Sequence, residues 1–180
     1  HGFRFHTFDG EPYWDESACY RFSLAEIEQG IEEPSAEIEA MCFEVVARAV
    51  ADEEVLNRLG IPPAFRDIVR TSWANQDRNL YGRFDFAFDG KGPAKLYEYN
   101  ADTPTSLYES AIFQWVWLEQ AVERGIVPEG CDQFNSIHEA LTDAFRAMGI
   151  KGTLHVACCR DAPEDEGTVE YIADCARQAG

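Results

Sequence analysis

The stretch Gly82–Ser106, GRFDFAFDGKGPAKLYEYNADTPTS, constrains this chain more than any other. It reads as two strands around a turn, and alternate side chains of a strand share a face. On the first strand Arg83 and Asp85 share one face, against Phe84, Phe86 and Phe88. On the second, Glu98 and Asn100 share a face, against Tyr97 and Tyr99. Opposed residues of an antiparallel pair lie on the same face. Keeping the aromatic rings together therefore brings Arg83, Asp85, Glu98 and Asn100 together. The predicted register sets Arg83 opposite Asn100, Asp85 opposite Glu98, Phe84 opposite Tyr99 and Phe86 opposite Tyr97. The turn spans Asp89–Ala94 and contains two glycines and a proline.

Two carboxylates directly opposed on a sheet repel. They need a cation between them or a raised pKa on one of them. Arg83 is one such cation, and Mg²⁺ another, since it takes carboxylate, amide and phosphate oxygens. Asp, Glu and Asn form an all-oxygen donor set, which favours Mg²⁺ or Ca²⁺ over zinc. The plainer reading is a solvated sheet face on which Arg83 bridges two acids. The residues that follow, ADTPTS, lead into a helix start, whose free backbone N–H groups suit an anion. Ser106 serves as an N-cap, while Thr103 and Thr105 add hydroxyls that capping does not require. Such an arrangement suits a phosphate–Mg²⁺ or a carboxylate–phosphate site.

Around the hairpin the chain reads as a mixed α/β (α+β) protein. The aromatic start predicts a strand at Gly2–Phe8 and a turn at Asp9-Gly10. Three S-x-x-E stretches, Ser23–Glu26, Ser106–Glu109 and Ser136–Glu139, predict capping boxes. The first opens a helix to about Glu32. Pro34-Ser35 opens a longer one, with Ile38, Cys42, Val45, Val46, Ala49, Val50 and Leu56 at helical spacing, stopped by Gly60 and Pro62. A short helix then turns Phe65, Ile68 and Val69 inward. The Ser106 helix carries Ile112, Phe113, Trp115, Val116, Leu118 and Val122, is apolar on most sides and ends near Gly125, so it is expected to be central. The Ser136 helix ends at Gly149. Gly152–Cys159 reads as a buried strand, the acidic RDAPEDEG as a loop, and the residues from Gly167 to Gly180 as a helix. Strand, loop and helix form two-thirds of a βαβ unit. The expectation is one domain over 1–180, a piece of a longer polypeptide, with a sub-boundary near 149–152.

A net charge of −18 argues against nucleic acid and allows a cationic substrate or metal ions. No apolar run approaches the roughly 20 residues of a membrane span. The cysteines Cys19, Cys42, Cys131, Cys158, Cys159 and Cys175 show no zinc spacing and no secretory context. They read as reduced, mostly buried thiols of a cytoplasmic protein. His1, His6, His138 and His155 are scattered, His155 as a core histidine. Trp14, Trp73, Trp115 and Trp117 read as core, and Asp102 as the source of an Asx-type bond that orients its loop.

The stretches Tyr13–Ser23, Ser72-Trp73, Leu80–Gly90 and Lys95–Gln120 resemble the glutathionylspermidine synthase family, in particular its stand-alone proteins without the amidase half. The resemblance implies an ATP-grasp-like C–N ligase, of which this chain carries the N-terminal pre-ATP-grasp part. Such enzymes phosphorylate a carboxylate with ATP and let an amine attack the acyl phosphate; the namesake substrates are glutathione and spermidine. The resemblance further implies that Arg83 stabilises the transferring phosphoryl group and contacts the nucleotide. It implies that Asp85, Glu98 and Asn100 hold Mg²⁺, and that Thr103, Thr105 and Ser106 approach the thiol-peptide substrate. The main ATP site, its gripping lysines and phosphate loop are expected in the remainder of the same polypeptide, so the 180 residues alone are expected to be inactive. The alternative is a non-catalytic module that binds a polyamine or peptide and keeps the fold.

Overall fold

A computed structural model describes residues 3–180. The expected strand at Gly2–Phe8 therefore begins outside the described residues. The chain forms two compact units, each discontinuous in sequence. The first takes residues 1–21, 80–83 and 100–180; the second takes 22–79 and 84–99. The expected sub-boundary near 149–152 falls inside the first unit.

In the first unit, strands β1 (Thr7–Phe8) and β2 (Glu11–Pro12) pair antiparallel, Thr7 with Pro12 and Phe8 with Glu11. Asp9 (φ +48°) and Gly10 (φ +84°) make the turn between them, with the left-handed backbone that an Asp-Gly hairpin uses. A π-helical turn, Glu109–Phe113, runs into helix α5 (Gln114–Glu123), which stops just before Gly125 (φ +68°). Helix α6 (Ile137–Met148) ends at left-handed Gly149 and packs along helix α7 (Pro163–Ala179). One core gathers Leu107, Ala111, Leu141, Phe145, Tyr171 and Cys175; a second gathers Leu118, Ala121 and Val127.

Several expectations for this unit are corrected. The Ser136 box does not form; Ser136 makes no side-chain cap, and Asn135 Oδ1 accepts the Ile137 N–H instead. Helix α7 begins four residues before Gly167, because Pro163 fits a first helical position and Glu164, Asp165 and Glu166 favour the positive helix end. The Gly152–Cys159 stretch forms no strand. A strand needs a partner ladder, and none of the described residues supplies one, so His155, Cys158 and Cys159 are exposed. Cys19 is exposed too, Cys42 and Cys131 are half-buried, and Cys175 alone of the six is fully buried; all six are free thiols. Trp115 is 43% exposed because Leu118, Ala121, Ala111 and Phe113 take the inward face of its helical run.

In the second unit a helical run covers residues 24–51. Helix α1 (Leu24–Ile27) has the predicted capping box: Glu26 N–H donates to Ser23 Oγ, and Ser23 N–H to the Glu26 carboxylate. A π-helical turn (Glu28–Glu32) joins it to helix α2 (Glu33–Ala51), so the expected stop near Glu32 becomes a change of pitch. Pro34 has no N–H to give the Gly30 carbonyl one turn back. The Ala94 N–H donates to that carbonyl across 2.7 Å. Gly30 is buried, and a Cβ on it would stand 2.7 Å from the Phe88 ring.

Asp52 breaks the expected long helix by accepting the N–H groups of Glu54 and Val55, which starts helix α3 (Glu53–Arg58). Helix α4 (Pro63–Asn75) turns Arg66 inward, with Nε donating to Ile61 O and Nη1 paired with Glu53. Arg70 pairs with the same carboxylate. Phe65 (56%) and Ile68 (63%), expected inward, are exposed, as are Val45 and Val46 on α2. Arg66 takes the buried position of α4 because its guanidinium finds an acceptor and an acid there.

Candidate functional site

Strands β3 (Arg83–Ala87) and β4 (Lys95–Asn100) pair, joined by residues 88–94. The predicted parity is visible in the rings. Phe84 meets Tyr99 with centroids 4.2 Å apart and stacks on Phe86 at 5.4 Å. Tyr97 is 80% exposed, while Phe84, Phe86 and Tyr99 pack their rings together. Arg83 and Asn100 stand in the first unit, and Asp85 and Glu98 in the second. Asp85 is half-buried and Glu98 is exposed.

The first unit builds a polar cluster around Arg83. Arg83 Nη1 donates to Thr105 Oγ1 at 3.1 Å and to Thr105 O at 3.4 Å. Tyr81 Oη fixes the same loop by donating to Pro104 O at 2.9 Å. Ser106 has a left-handed backbone (φ +68°), unusual for a residue with a Cβ. Its carbonyl accepts both the N–H and the hydroxyl of Ser110. Asn100 Oδ1 accepts the Asp102 N–H at 3.1 Å. The Asx-type bond is therefore made by the Asn100 side chain, with Asp102 supplying only its backbone. Thr103 is exposed.

Glu109 departs from the expected capping role. It is 3% exposed, its Oε1 accepts the Tyr13 hydroxyl at 2.9 Å, and its Oε2 is buried without a hydrogen-bond partner in the protein. Burial, more than the neighbouring carboxylates, pushes the Tyr13 hydroxyl above its ordinary pKa, while a hydrogen bond with Ser106 works against this. Glu164, at the start of α7, faces the same cluster. Burial raises its pKa first, and the Glu109 carboxylate adds to this; a hydrogen bond with Thr105 and the charge of Arg83 oppose it. Arg83, Thr105, Ser106, Tyr13, Glu109 and Glu164 thus form one network. Sequence reading left open whether Tyr13 lines a site or merely packs, and it missed Glu109 and Glu164. Tyr13 sat in an irregular aromatic stretch, Glu109 matched a capping box, and Glu164 sat in what read as a solvated acidic loop. Pro163 followed by three acids was the available sign that Glu164 opens a helix.

Among the described residues no group of three or more His, Cys, Asp or Glu side chains is placed to hold a metal ion. The expected Mg²⁺ set contains only two such acids, Asp85 and Glu98, with the amide of Asn100. Its oxygens fit a hard cation in kind. Asn100 Oδ1 already accepts one hydrogen bond and keeps a second lone pair.

The profile of the glutathionylspermidine synthase preATP-grasp family matches residues 1–180. The chain belongs to this family. A Haemophilus influenzae protein named "Putative acid--amine ligase" is 42% identical over 176 residues, covering 96% of this chain and 43% of that protein. Crithidia fasciculata trypanothione synthetase is 30% identical over 140 residues, 77% of this chain and 21% of the relative. The Escherichia coli bifunctional glutathionylspermidine synthetase/amidase is 25% identical over 154 residues, 85% of this chain and 24% of the relative. The chain spans less than half the length of each of these three relatives. As a glutathionylspermidine synthase preATP-grasp chain it has the mixed α/β architecture expected of it, including the paired β3 and β4. Among the described residues no helix is long and apolar enough to cross a membrane.

Proposed function

We propose that this chain is the preATP-grasp part of an ATP-dependent carboxylate–amine ligase, active in the cytoplasm as part of the longer polypeptide. The observation that carries this reading is the Arg83 guanidinium held by both oxygens of Thr105, beside the Glu109–Glu164 carboxyl pair. In the reaction a carboxylate oxygen of a glutathione-like peptide attacks the γ-phosphorus of ATP, giving an acyl phosphate and ADP. The amine nitrogen of a polyamine then attacks the acyl carbon, phosphate leaves with the C–O bonding pair, and the nitrogen loses a proton.

Arg83 supplies a fixed positive charge to the oxygens of the transferring phosphoryl group, held in place before the reaction begins. Thr105, Ser106 and Thr103 offer hydroxyls to the peptide substrate. The Glu109–Glu164 pair offers negative charge to a substrate ammonium, and the raised pKa of Glu164 suits it to exchange a proton. Asp85, Glu98 and Asn100 would hold Mg²⁺, which when bound neutralises phosphate charge.

The test is ADP release by the full-length protein with glutathione and spermidine. Arg83→Ala should lower kcat by about 100- to 1000-fold, as for loss of one preorganised charge-stabilising group. Asp85→Ala should weaken the dependence on Mg²⁺. Absence of ATP turnover with any carboxylate–amine pair would remove the ligase reading in favour of a binding module. Equal turnover by wild type and both variants would remove the residue assignments.

A further inference from the structure

The first unit holds a second feature that the ligase reading leaves unused. Phe3, His6, Trp14, Glu16, Phe113 and Trp117 are among the residues around a cavity of about 530 Å³. That volume lies within the range of small-molecule pockets. Phe3 stacks on Phe113 with centroids 4.1 Å apart, and Trp14 stands edge-on to Phe3 at 5.3 Å and 88°. The Trp14 indole N–H donates to Glu16 Oε1 at 3.0 Å, which fixes a carboxylate at the margin of the aromatic wall. Among the described residues no Lys or Arg lines the cavity, and none forms an ion pair with Glu16.

These properties select a ligand by charge. An anion would meet a carboxylate and no lysine or arginine. A neutral apolar ligand would leave that carboxylate facing it without benefit. An organic cation gains from both: its apolar stem lies on the rings, and its charged head meets ring faces and Glu16. The net charge of −18 adds a long-range field of the same sign.

We propose that this cavity is a binding site for an alkylammonium group. The stretches that build it, around Trp14 and Phe113, also carry Tyr13 and Glu109 of the Arg83 cluster. An occupant is therefore either the far amine of a bound polyamine substrate or a separate amine.

The test does not require ligase activity. Full-length protein is titrated with 1,4-diaminobutane, spermidine and neutral 1-butanol, without ATP or Mg²⁺, following tryptophan fluorescence and heat. Both amines should bind saturably and quench tryptophan, and 1-butanol should neither bind comparably nor compete. Glu16→Gln, an exposed and near-isosteric change, should weaken amine binding about fivefold, the scale of one partly exposed ion pair. Trp117→Ala should weaken it by a similar factor while the far-ultraviolet spectrum stays native. No saturable amine binding, equal affinity of 1-butanol, or unchanged affinity in Glu16→Gln would each overturn the proposal. Where turnover is present, about a fivefold rise in amine KM at unchanged kcat in Glu16→Gln identifies the substrate's own tail as occupant. Unchanged KM with weakened binding identifies a separate amine. Amine binding that responds to Glu16 without any ADP release would sustain this site while removing the ligase reading.

Discussion

Replacing Glu109 by Gln should make the protein more stable. The carboxylate is 3% exposed, with Oε1 bonded to the Tyr13 hydroxyl and Oε2 unpartnered in the protein. An unsatisfied buried polar atom costs about 1–3 kcal/mol, and more when charged. The amide keeps the shape and the Oε1 acceptor, is cheaper to bury than a carboxylate, and relieves repulsion with Glu164. Against this, the charge-assisted bond from Tyr13, worth about 1.5–3 kcal/mol, falls to about 1 kcal/mol. The net expectation is a gain of roughly 1 kcal/mol, or about 2–4 °C in Tm for a chain of this size. Tyr13→Phe removes the donor and should cost about 1–3 kcal/mol in the wild-type background, but only about 1 kcal/mol in the Glu109→Gln background, where the acceptor is uncharged.

The measurement is a double-mutant cycle by urea unfolding of wild type, both single variants and the double variant at neutral pH. Coupling of about 1 kcal/mol is expected for groups in direct contact. Strict additivity, which would mean that Tyr13 and Glu109 are uncoupled, or a Glu109→Gln variant less stable than wild type, which would mean that the carboxylate is well satisfied where it lies, would each refute the reasoning. The pH dependence gives a second check. Tyr13's folded pKa is raised, so its contribution is complete below the unfolded value and is lost as pH rises through the folded one. Tyr13→Phe should therefore lose its stability difference from wild type in alkali.

Two further outcomes concern the second unit. Gly30→Ala should lose about 1–2 kcal/mol in urea unfolding, since overpacking against Phe88 outweighs a helix-propensity gain of about 1 kcal/mol; the smaller Phe88→Leu in the same background should recover part of it. Glu53, whose pKa is lowered first by the Arg70 hydrogen bond and then by Arg66, contributes stability that is present above the unfolded glutamate value and lost as pH falls through the folded one. Glu53→Gln should therefore be less stable than wild type at neutral pH and match it in strong acid, as read by pH-dependent unfolding.

What the sequence made legible was local. Strand parity placed Phe84 with Tyr99, a Ser and a Glu three apart capped α1, and Asp9-Gly10, Gly125 and Gly149 marked turns and helix ends. What it hid depends on partners remote in the chain. Ser-x-x-Glu at 106–109 satisfies the capping pattern, yet Tyr13, 96 residues away, supplies the donor that Glu109 takes. Glu164 joins Arg83 and Thr105 across a stretch of chain that no periodicity links. Gly152–Cys159 has the composition of a buried strand, but composition cannot provide the neighbour whose ladder defines one. Arg66 outcompeted Phe65 and Ile68 for the inner side of α4 because Ile61 O and Glu53 were waiting for it.

The bond between Ala94 and Gly30 has a consequence for how this protein can vary. Two chemically unrelated residues of the helical run serve one remote amide. Proline at 34 withholds a donor and so leaves a carbonyl available; glycine at 30 removes the side chain that would stand in the way of the Phe88 ring. Neither works alone, because a Pro34→Ala chain lets the helix reclaim its carbonyl and a Gly30→Ala chain shuts out Phe88. Positions 30 and 34 are therefore physically coupled to the hairpin tip, and lengthening the 88–94 connection is tolerable only where Phe88 and Ala94 still reach the same turn of the helix.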